Sequence, residues 1–338
     1  MDRFLSEVLN ERPIKFTSFH LEAFTGNFSE KIESGGFGVV YKGQLPNGIL
    51  IAVKVLNSNL HKRAEEQFMA EDSTFGRTYH LNLVRLYGFC FEPTVKALVY
   101  EYLENGSLEE HLFSMEKKIE TDKLFEIAIG TAKGIRYLHE ECQQRIIHYD
   151  IKPGNVLLTA SFSPKVADFG LAKLCDRENT HVTISGARGT PGYAAPELWM
   201  PLPVTYKCDV YSFGMLLFEI IGRRRNLNVD LQSQEWYPRW VWQKFDNGEL
   251  DMVLIVANVE DENRNKVERM CKVALWCVQH RPEERPTMSS VIRMLEGDDE
   301  IQAPADPFPH WGMNDLKFMA TGSPSSTVYR SRSEAVQM

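Results

Sequence analysis

The sequence is short of the features that would place it outside a reducing, aqueous compartment. Its six cysteines (Cys90, Cys142, Cys175, Cys208, Cys271 and Cys277) include no C-x-x-C pair and no His/Cys metal spacing. Free thiols are therefore expected, rather than a disulfide framework or a zinc site. A long apolar run is also missing: the most hydrophobic stretch, "VYSFGMLLFEIIG" at 210–222, contains Glu219 and is too short for a bilayer span. The opening "MDRFLSEVLNERPIKFTSFH" interleaves charges where a signal peptide would be apolar, and neither a myristoylation start nor a CaaX ending is present. Positive charge is not in excess, since 38 Lys and Arg face 46 Asp and Glu for a net charge of −8. That balance argues against a nucleic-acid or anionic-membrane binder. No internal repeat is visible. The expectation is a cytoplasmic chain with no transmembrane segment and no nucleic-acid partner.

What is present is an ordinary globular composition, 43% hydrophobic and 25% charged over 338 residues, enough for two domains or one large two-lobed one. From residue 31 to about 102 the pattern is strand-rich. "GVVYKG" and "ILIAVKVL" are β-branched runs joined by "QLPNG", whose Pro46-Asn47-Gly48 reads as a turn. One helix, "AEEQFMAEDSTFGR", separates them from "NLVRLYGFCFE" and "KALVYEYL". After about residue 106 the period turns helical. Leu124, Ile127, Ala128 and Ile135 share a face of a helix running toward His139. Val267, Met270, Cys271, Ala274, Leu275 and Val278 do the same, as do Met288, Val291, Ile292 and Leu295 behind a cap at Thr287. The fold class is α+β, a small β-rich lobe with one main helix followed by a larger α-helical lobe. Beyond Gly297, Pro304, Pro307, Pro309 and a Ser/Thr-rich ending predict a disordered tail.

Chemistry enters with "KIESGGFGVVYKG" at 31–43, where Gly35, Gly36 and Gly38 allow backbone N–H groups to approach a polyphosphate. By itself this is also the signature of a tight hairpin. Lys54 follows in "IAVKVL", on the strand face opposite Val53 and Val55. A functional lysine there needs an acid. The helix offers Glu71 and Asp72 on one face with Phe68 and Phe75, and periodicity does not choose between them. The most specific stretch is "IIHYDIKPGNVLL", with Asp150, Lys152 and Asn155, followed by "DFG" at 168–170 and "APE" at 195–197. Phosphoryl transfer asks for a base or orienter, oxygen ligands for Mg²⁺ and cations on the phosphates. These residues supply each.

The order of Gly-rich loop, strand lysine, helix glutamate, H-x-D-x-K-x-x-N, DFG and APE resembles that of eukaryotic protein kinases, over roughly residues 28–297. "LVRLYGFC", "LVYEYLENGSL", "GTAKGIRYLHEEC", "DVYSFGMLLFE" and "ALWCVQHRPEERPTMSSVIRMLEG" narrow the resemblance to plant receptor-like kinases of the rust-resistance and lectin-receptor types. The resemblance implies a bilobal kinase fold, with an N-lobe over 28–102, a C-lobe over 106–297, a flank at 1–27 and a tail at 298–338. It implies ATP and Mg²⁺ as cofactors, protein Ser/Thr hydroxyls as substrates, and an upstream receptor complex in defence signalling. Its ectodomain and membrane helix are not found in this sequence, so a receptor-like cytoplasmic kinase or a truncated receptor is expected, with the kinase on the cytoplasmic side.

Carried over by residue, Lys54 would hold the α and β phosphates and pair with Glu71. Asp150 would orient and deprotonate the substrate hydroxyl, Lys152 would touch the transferred phosphate, and Asn155 and Asp168 would hold Mg²⁺. Ile32, Gly35, Gly36, Phe37, Gly38, Val40, Ala52, Glu101, Leu103 and Leu157 would line the nucleotide site, with Tyr100 as gatekeeper. Lys152 and "GTPGY" at 189–193 resemble the serine/threonine pattern. Three positions depart from the family: Glu33 replaces the first glycine, Asp72 stands where an apolar residue is usual, and Tyr149 stands where many kinases have arginine. The first two motivate an alternative, a pseudokinase scaffold with weak nucleotide binding. The third removes one partner for a phosphate on the activation loop, where Thr180, Thr183 and Ser185 are regulatory candidates and Thr190 would meet Asp150. His148, Asp209, the Glu197 and Arg285 pair, and Trp236, Trp240 and Trp242 read as architecture. Arg223 to Arg225 read as a helix C-terminus.

Overall fold

Alternating strand runs assemble into a six-stranded sheet. The computed structural model describes residues 13–35, 38–57, 79–114, 119–177, 189–199, 203–226 and 236–309. In it β1 (Ile14–Lys15), β2 (Lys31–Gly35), β3 (Gly38–Gln44), β4 (Leu50–Leu56), β5 (Leu86–Phe91) and β6 (Lys96–Glu101) take the order β1-β5-β6-β4-β3-β2. Pairing is antiparallel throughout except for β1, which runs parallel to β5. The β3–β4 hairpin closes at the Pro-Asn-Gly turn, where Gly48 has φ +85° and its N–H donates to the Leu45 carbonyl at 2.9 Å. Because side chains alternate along β4, Ile51 and Val53 are buried on one face while Ala52 and Lys54 look into a cleft on the other.

The outer face of this sheet is closed by the N-terminal flank. Thr17 caps α1 (Ser18–Thr25), its hydroxyl accepting from the His20 N–H at 3.3 Å. Phe16 and Leu21 then pack with Leu45, Ile51, Val53, Cys90, Ala97 and Val99 in a core of their own. The approach of β1 is so close that a Cβ on Gly88 would stand 2.1 Å from the Ile14 carbonyl oxygen. The helix read at 64–77 lies outside the described residues.

After the sheet the chain is mainly helical, with α2 (Leu108–Leu112), α3 (Thr121–Arg136), α4 (Lys207–Gly222), α5 (Tyr237–Asp246), α6 (Leu250–Val256), α7 (Arg264–Cys277) and α8 (Met288–Glu296). The apolar stretch at 210–222 belongs to α4, which is buried from Cys208 to Ile221 and forms the axis of this lobe. No helix among the described residues is long and apolar enough to cross a membrane. The periodic faces read in α3, α7 and α8 are all buried, and Thr287 caps α8 by accepting from the Ser290 N–H at 3.2 Å. Past Arg136, α3 widens into a π turn, where the Cys142 N–H reaches the Tyr137 carbonyl at 3.1 Å. Two short antiparallel pairs, β7 (Arg145–Ile147) with β10 (Lys173–Cys175) and β8 (Val156–Leu158) with β9 (Pro164–Val166), carry the motif loops. All six cysteines are buried free thiols. In the stretch 298–309, read from composition as the start of a disordered tail, Pro304, Pro307 and Phe308 are buried and Ile301 is half buried, while most of the residues between them are exposed.

Candidate active site

The loop joining β7 to β8 is built around a buried aspartate. Asp209, in the first turn of α4 and fully buried, accepts the His148 and Tyr149 backbone N–H groups at 2.8 Å each, and pairs with the His139 Nε2 at 2.9 Å. These bonds hold Tyr149 at φ +68°, in the left-handed region that bulky side chains avoid. Asp168 is also left-handed, at φ +61°. Such conformations cost roughly 1–3 kcal/mol each and persist only where the surroundings over-determine them. His148 is core, as read: its Nε2 meets the Ala167 carbonyl at 3.0 Å and its ring packs on Phe169.

The chain then presents Asp150 to a ring of donors. Its Oδ1 accepts from Thr190 Oγ1 at 2.6 Å, and its Oδ2 from Asn155 Nδ2 at 3.0 Å and Lys152 Nζ at 2.9 Å. Lys152 also donates to Thr190 Oγ1 at 2.8 Å, and the Asn155 amide to the Asp150 carbonyl at 2.8 Å. A carboxylate pinned by three donors has one orientation. Nearby, Lys54 Nζ from β4 meets Asp168 Oδ1 at 2.6 Å. Burial alone would push the Asp168 carboxyl up. The Lys54 ammonium, through its charge and its hydrogen bond, with smaller help from His148 and Lys152, holds it below the usual carboxylate range.

Between the lobes lies a cleft of about 790 Å³ including its mouth. Val40, Ala52, Val84, Tyr100, Leu157 and Ala167 give it apolar walls, while Lys54, Asn155 and Asp168 gather at one end. At the loop end, Gly38 has φ +150°, and a Cβ there would meet the Val55 carbonyl oxygen at 2.1 Å. Only glycine lets β3 start so close to β4. An apolar slot with a cation, an amide oxygen and a carboxylate at one end suits a planar base carrying a polyphosphate. Asn155 and Asp168 offer hard oxygen donors, and no cluster of three or more His, Cys, Asp or Glu able to hold a metal exists among the described residues. Two protein oxygens fit a Mg²⁺ ion that completes its shell with phosphate and water.

The sequence pattern of the protein tyrosine and serine/threonine kinase family matches residues 27–295. The chain belongs to this kinase family. It is 44% identical over 318 residues to the rust resistance kinase Lr10 of Triticum aestivum, covering 91% of this chain and 49% of that protein. It is 46% identical over 311 residues to a G-type lectin S-receptor-like serine/threonine-protein kinase of Arabidopsis thaliana, covering 89% and 35%. A leaf rust 10 disease-resistance locus receptor-like protein kinase-like protein of the same plant is 40% identical over 327 residues, covering 93% and 51%. The chain thus spans about half or less of the length of these relatives.

Within the kinase family frame, Gly35, Gly38, Val40, Ala52, Lys54, Tyr100, Glu101, Asn155, Leu157 and Asp168 meet at the cleft. Asp150 and Lys152 stand at its edge with Thr190. Ile32 is half exposed on β2 and the Leu103 side chain is buried; neither side chain is among those that line the cleft. Gly36, Phe37, Glu71, Asp72, Thr180, Thr183 and Ser185 lie outside the described residues. Glu33 is exposed at the mouth, paired with Val40. Glu197 and Arg285 form a fully buried two-bond ion pair at 2.6 and 2.9 Å. Other contributors escaped the sequence reading. Val84, Gly154 and Ala167 line the cleft, and a Cβ on Gly154 would stand 2.7 Å from Glu109 Oε2. Glu101 accepts from Lys165 Nζ at 2.8 Å and from the Arg85 N–H at 2.7 Å, tying the strand to the next lobe. Tyr193 donates to Glu219 Oε2 at 2.7 Å. These are pairs between distant segments, and no local spacing announces them.

Proposed function

We propose that the chain is an ATP-dependent serine/threonine protein kinase that transfers a γ-phosphoryl group to a protein hydroxyl. The observation that carries this reading is the fixed Asp150 carboxylate, held by Thr190, Asn155 and Lys152 beside the Lys54–Asp168 pair. Asp150 orients the substrate hydroxyl and takes its proton. Lys152 neutralises charge on the phosphoryl oxygens, Lys54 holds the inner phosphates with Glu71 as its second partner, and Asn155 and Asp168 hold Mg²⁺. Adenine lies between Val40, Ala52 and Leu157, with the backbone of Glu101 and Leu103 as its polar contacts. When bound, ATP supplies the phosphoryl group and Mg²⁺ offsets the charge on its oxygens. Thr190 supports this arrangement by bridging Asp150 and Lys152.

The relatives' names include receptor-like and disease-resistance kinases, which supports a place in receptor-linked defence signalling, on the cytoplasmic side of the membrane, with protein partners. Nothing in the site favours the scaffold alternative. Its motivating residues are an exposed Glu33 at the mouth and Asp72. The test is phosphate transfer from labelled ATP, with Mg²⁺, to the protein itself and to a generic basic substrate. Asp150→Asn is expected to lower kcat by about 10²–10⁴-fold. Equal rates for the two proteins would refute the proposal. A thermal-shift titration with ATP and Mg²⁺ adds a second reading: the enzyme gives a large saturable shift and the scaffold a weak one.

A further inference from the structure

The segment after α8 is short, proline-containing and free of strand pairing, yet it is held with a regular period. Trp276 Nε1 on α7 donates to the Gln302 carbonyl at 2.9 Å, and Gln279 Nε2 donates to the Ala305 carbonyl at 2.9 Å. These carbonyls are three residues apart. The residues turned inward repeat by three as well: Ile301 is half buried and Pro304 and Pro307 are buried, whereas Gln302, Ala303, Ala305 and Asp306 are exposed. Phe308 closes the series, 3% exposed, with its ring edge-on to Trp236 at 4.8 Å.

A period of three, proline at the repeating position and carbonyls bonded from outside are the marks of a polyproline II helix, which has three residues per turn and no internal hydrogen bonds. Aromatic-lined grooves are how such helices are bound. The exposed residues in between are small or polar, and Asp306 turns back to accept the Phe308 N–H at 2.8 Å. We infer that Trp276 on α7 and Gln279 just past its C-terminal end, with Trp236 beyond them, form a polyproline II binding groove occupied in cis by residues 301–308 of the same chain.

Occupancy reaches the activation segment. Gln279 is 2% exposed and spends its amide on the Leu275 and Ala305 carbonyls. Its own carbonyl accepts from Arg285 Nε at 2.8 Å, and Arg285 grips Glu197 of the "APE" motif. One residue is thus both the floor of the groove and a support of the ion pair. Filling the groove fixes Gln279, and with it Arg285.

The inference does not depend on the reaction assigned above, and its test reads binding. In the wild-type full chain, limited proteolysis is expected to spare 299–308 while cutting flexible regions; cleavage there at the rate of the free peptide overturns it. The full-chain double variant Pro304→Gly/Pro307→Gly releases the segment. A fluorescent synthetic peptide of residues 299–309 should bind this variant saturably, while the same peptide with both prolines changed to glycine binds at least about tenfold more weakly, because it must first order a flexible chain. Equal binding of the two peptides, or none, would sink the groove. Concentration-dependent dimerisation of the wild type that the peptide dissolves would overturn the cis assignment, since the occupant would then be a second copy. Amide exchange over 193–198 is expected to quicken by at least about tenfold in the released variant. Unchanged exchange breaks the link to Glu197.

Discussion

Single residues set the chemistry through what holds them. Asp150 is useful because three donors fix it, and those donors stand in place because Asp209 absorbs the strain of Tyr149. Asp209→Ala leaves two buried backbone N–H groups unbonded and a left-handed tyrosine unsupported. The expected loss is at least about 3 kcal/mol of stability, read as a lower urea midpoint, with the remaining folded enzyme impaired in kcat more than in KM. Asp209→Asn keeps one acceptor and should lose less. Glu33 is a milder case. It is exposed on β2, so its charge is screened and its effect on a bound polyphosphate is modest. Glu33→Gly is expected to lower the KM for ATP by about two- to fivefold, the scale of an exposed charge contact, with kcat little changed; an unaltered KM in steady-state kinetics would refute this account.

At the scale of elements, α4 does more than fill the core. Its Glu219 is 3% exposed and accepts from the Tyr193 hydroxyl at 2.7 Å and the Asn226 N–H at 3.0 Å. Burial pushes its carboxyl up to about 7, against the pull of these two donors and of Arg225, with Glu109 adding to the rise. The folded state therefore binds this proton more tightly than the unfolded chain does. Its contribution is fully present below the unfolded value and is lost as pH rises through about 7. Glu219→Gln keeps the acceptor for the Asn226 N–H, lets its amide N–H donate to the Tyr193 oxygen instead of accepting from it, and removes the titration. Between pH 5 and 7 the wild type is expected to lose up to about 3 kcal/mol relative to the variant, measured by denaturant unfolding at each pH. Parallel profiles would count against it. Much of this architecture was legible in the chain. The α3, α7 and α8 faces follow from a 3.6-residue period, and the apolar run of α4 from burial on all sides. The site motifs were legible because phosphoryl transfer needs fixed residue types at short spacings. What was hidden joins distant segments, as Tyr193 with Glu219 and Glu101 with Lys165 do. The packing of 301–308 was hidden for another reason, since proline-rich composition suggests disorder until a groove with the matching period is in view.

For the whole molecule, a few polar contacts tie the joint between the lobes beside the shared apolar packing of Leu83, Val84 and Leu86. The Val84 N–H donates to the Val166 carbonyl at 2.9 Å, Lys54 reaches Asp168, and Glu101 reaches Lys165. The last pair is 18% and 14% exposed, so solvent screens it only in part. Lys165→Met should loosen the closed arrangement and raise the KM for ATP by about two- to fivefold, on the scale of 1 kcal/mol or less for a partly exposed pair, with scattering curves that show a broader spread of lobe separations. No change in either measurement would make the pair ornamental. The N-terminal flank matters at this scale too. The family pattern starts at residue 27, yet Phe16 and Leu21 are what shield Ile51, Val53 and Val99 from water. A laboratory fragment cut at that boundary would carry a greasy sheet face and an unguarded β5 edge. It would be expected to stick to itself during expression, and a culture of it would yield inclusion bodies where the longer chain yields protein.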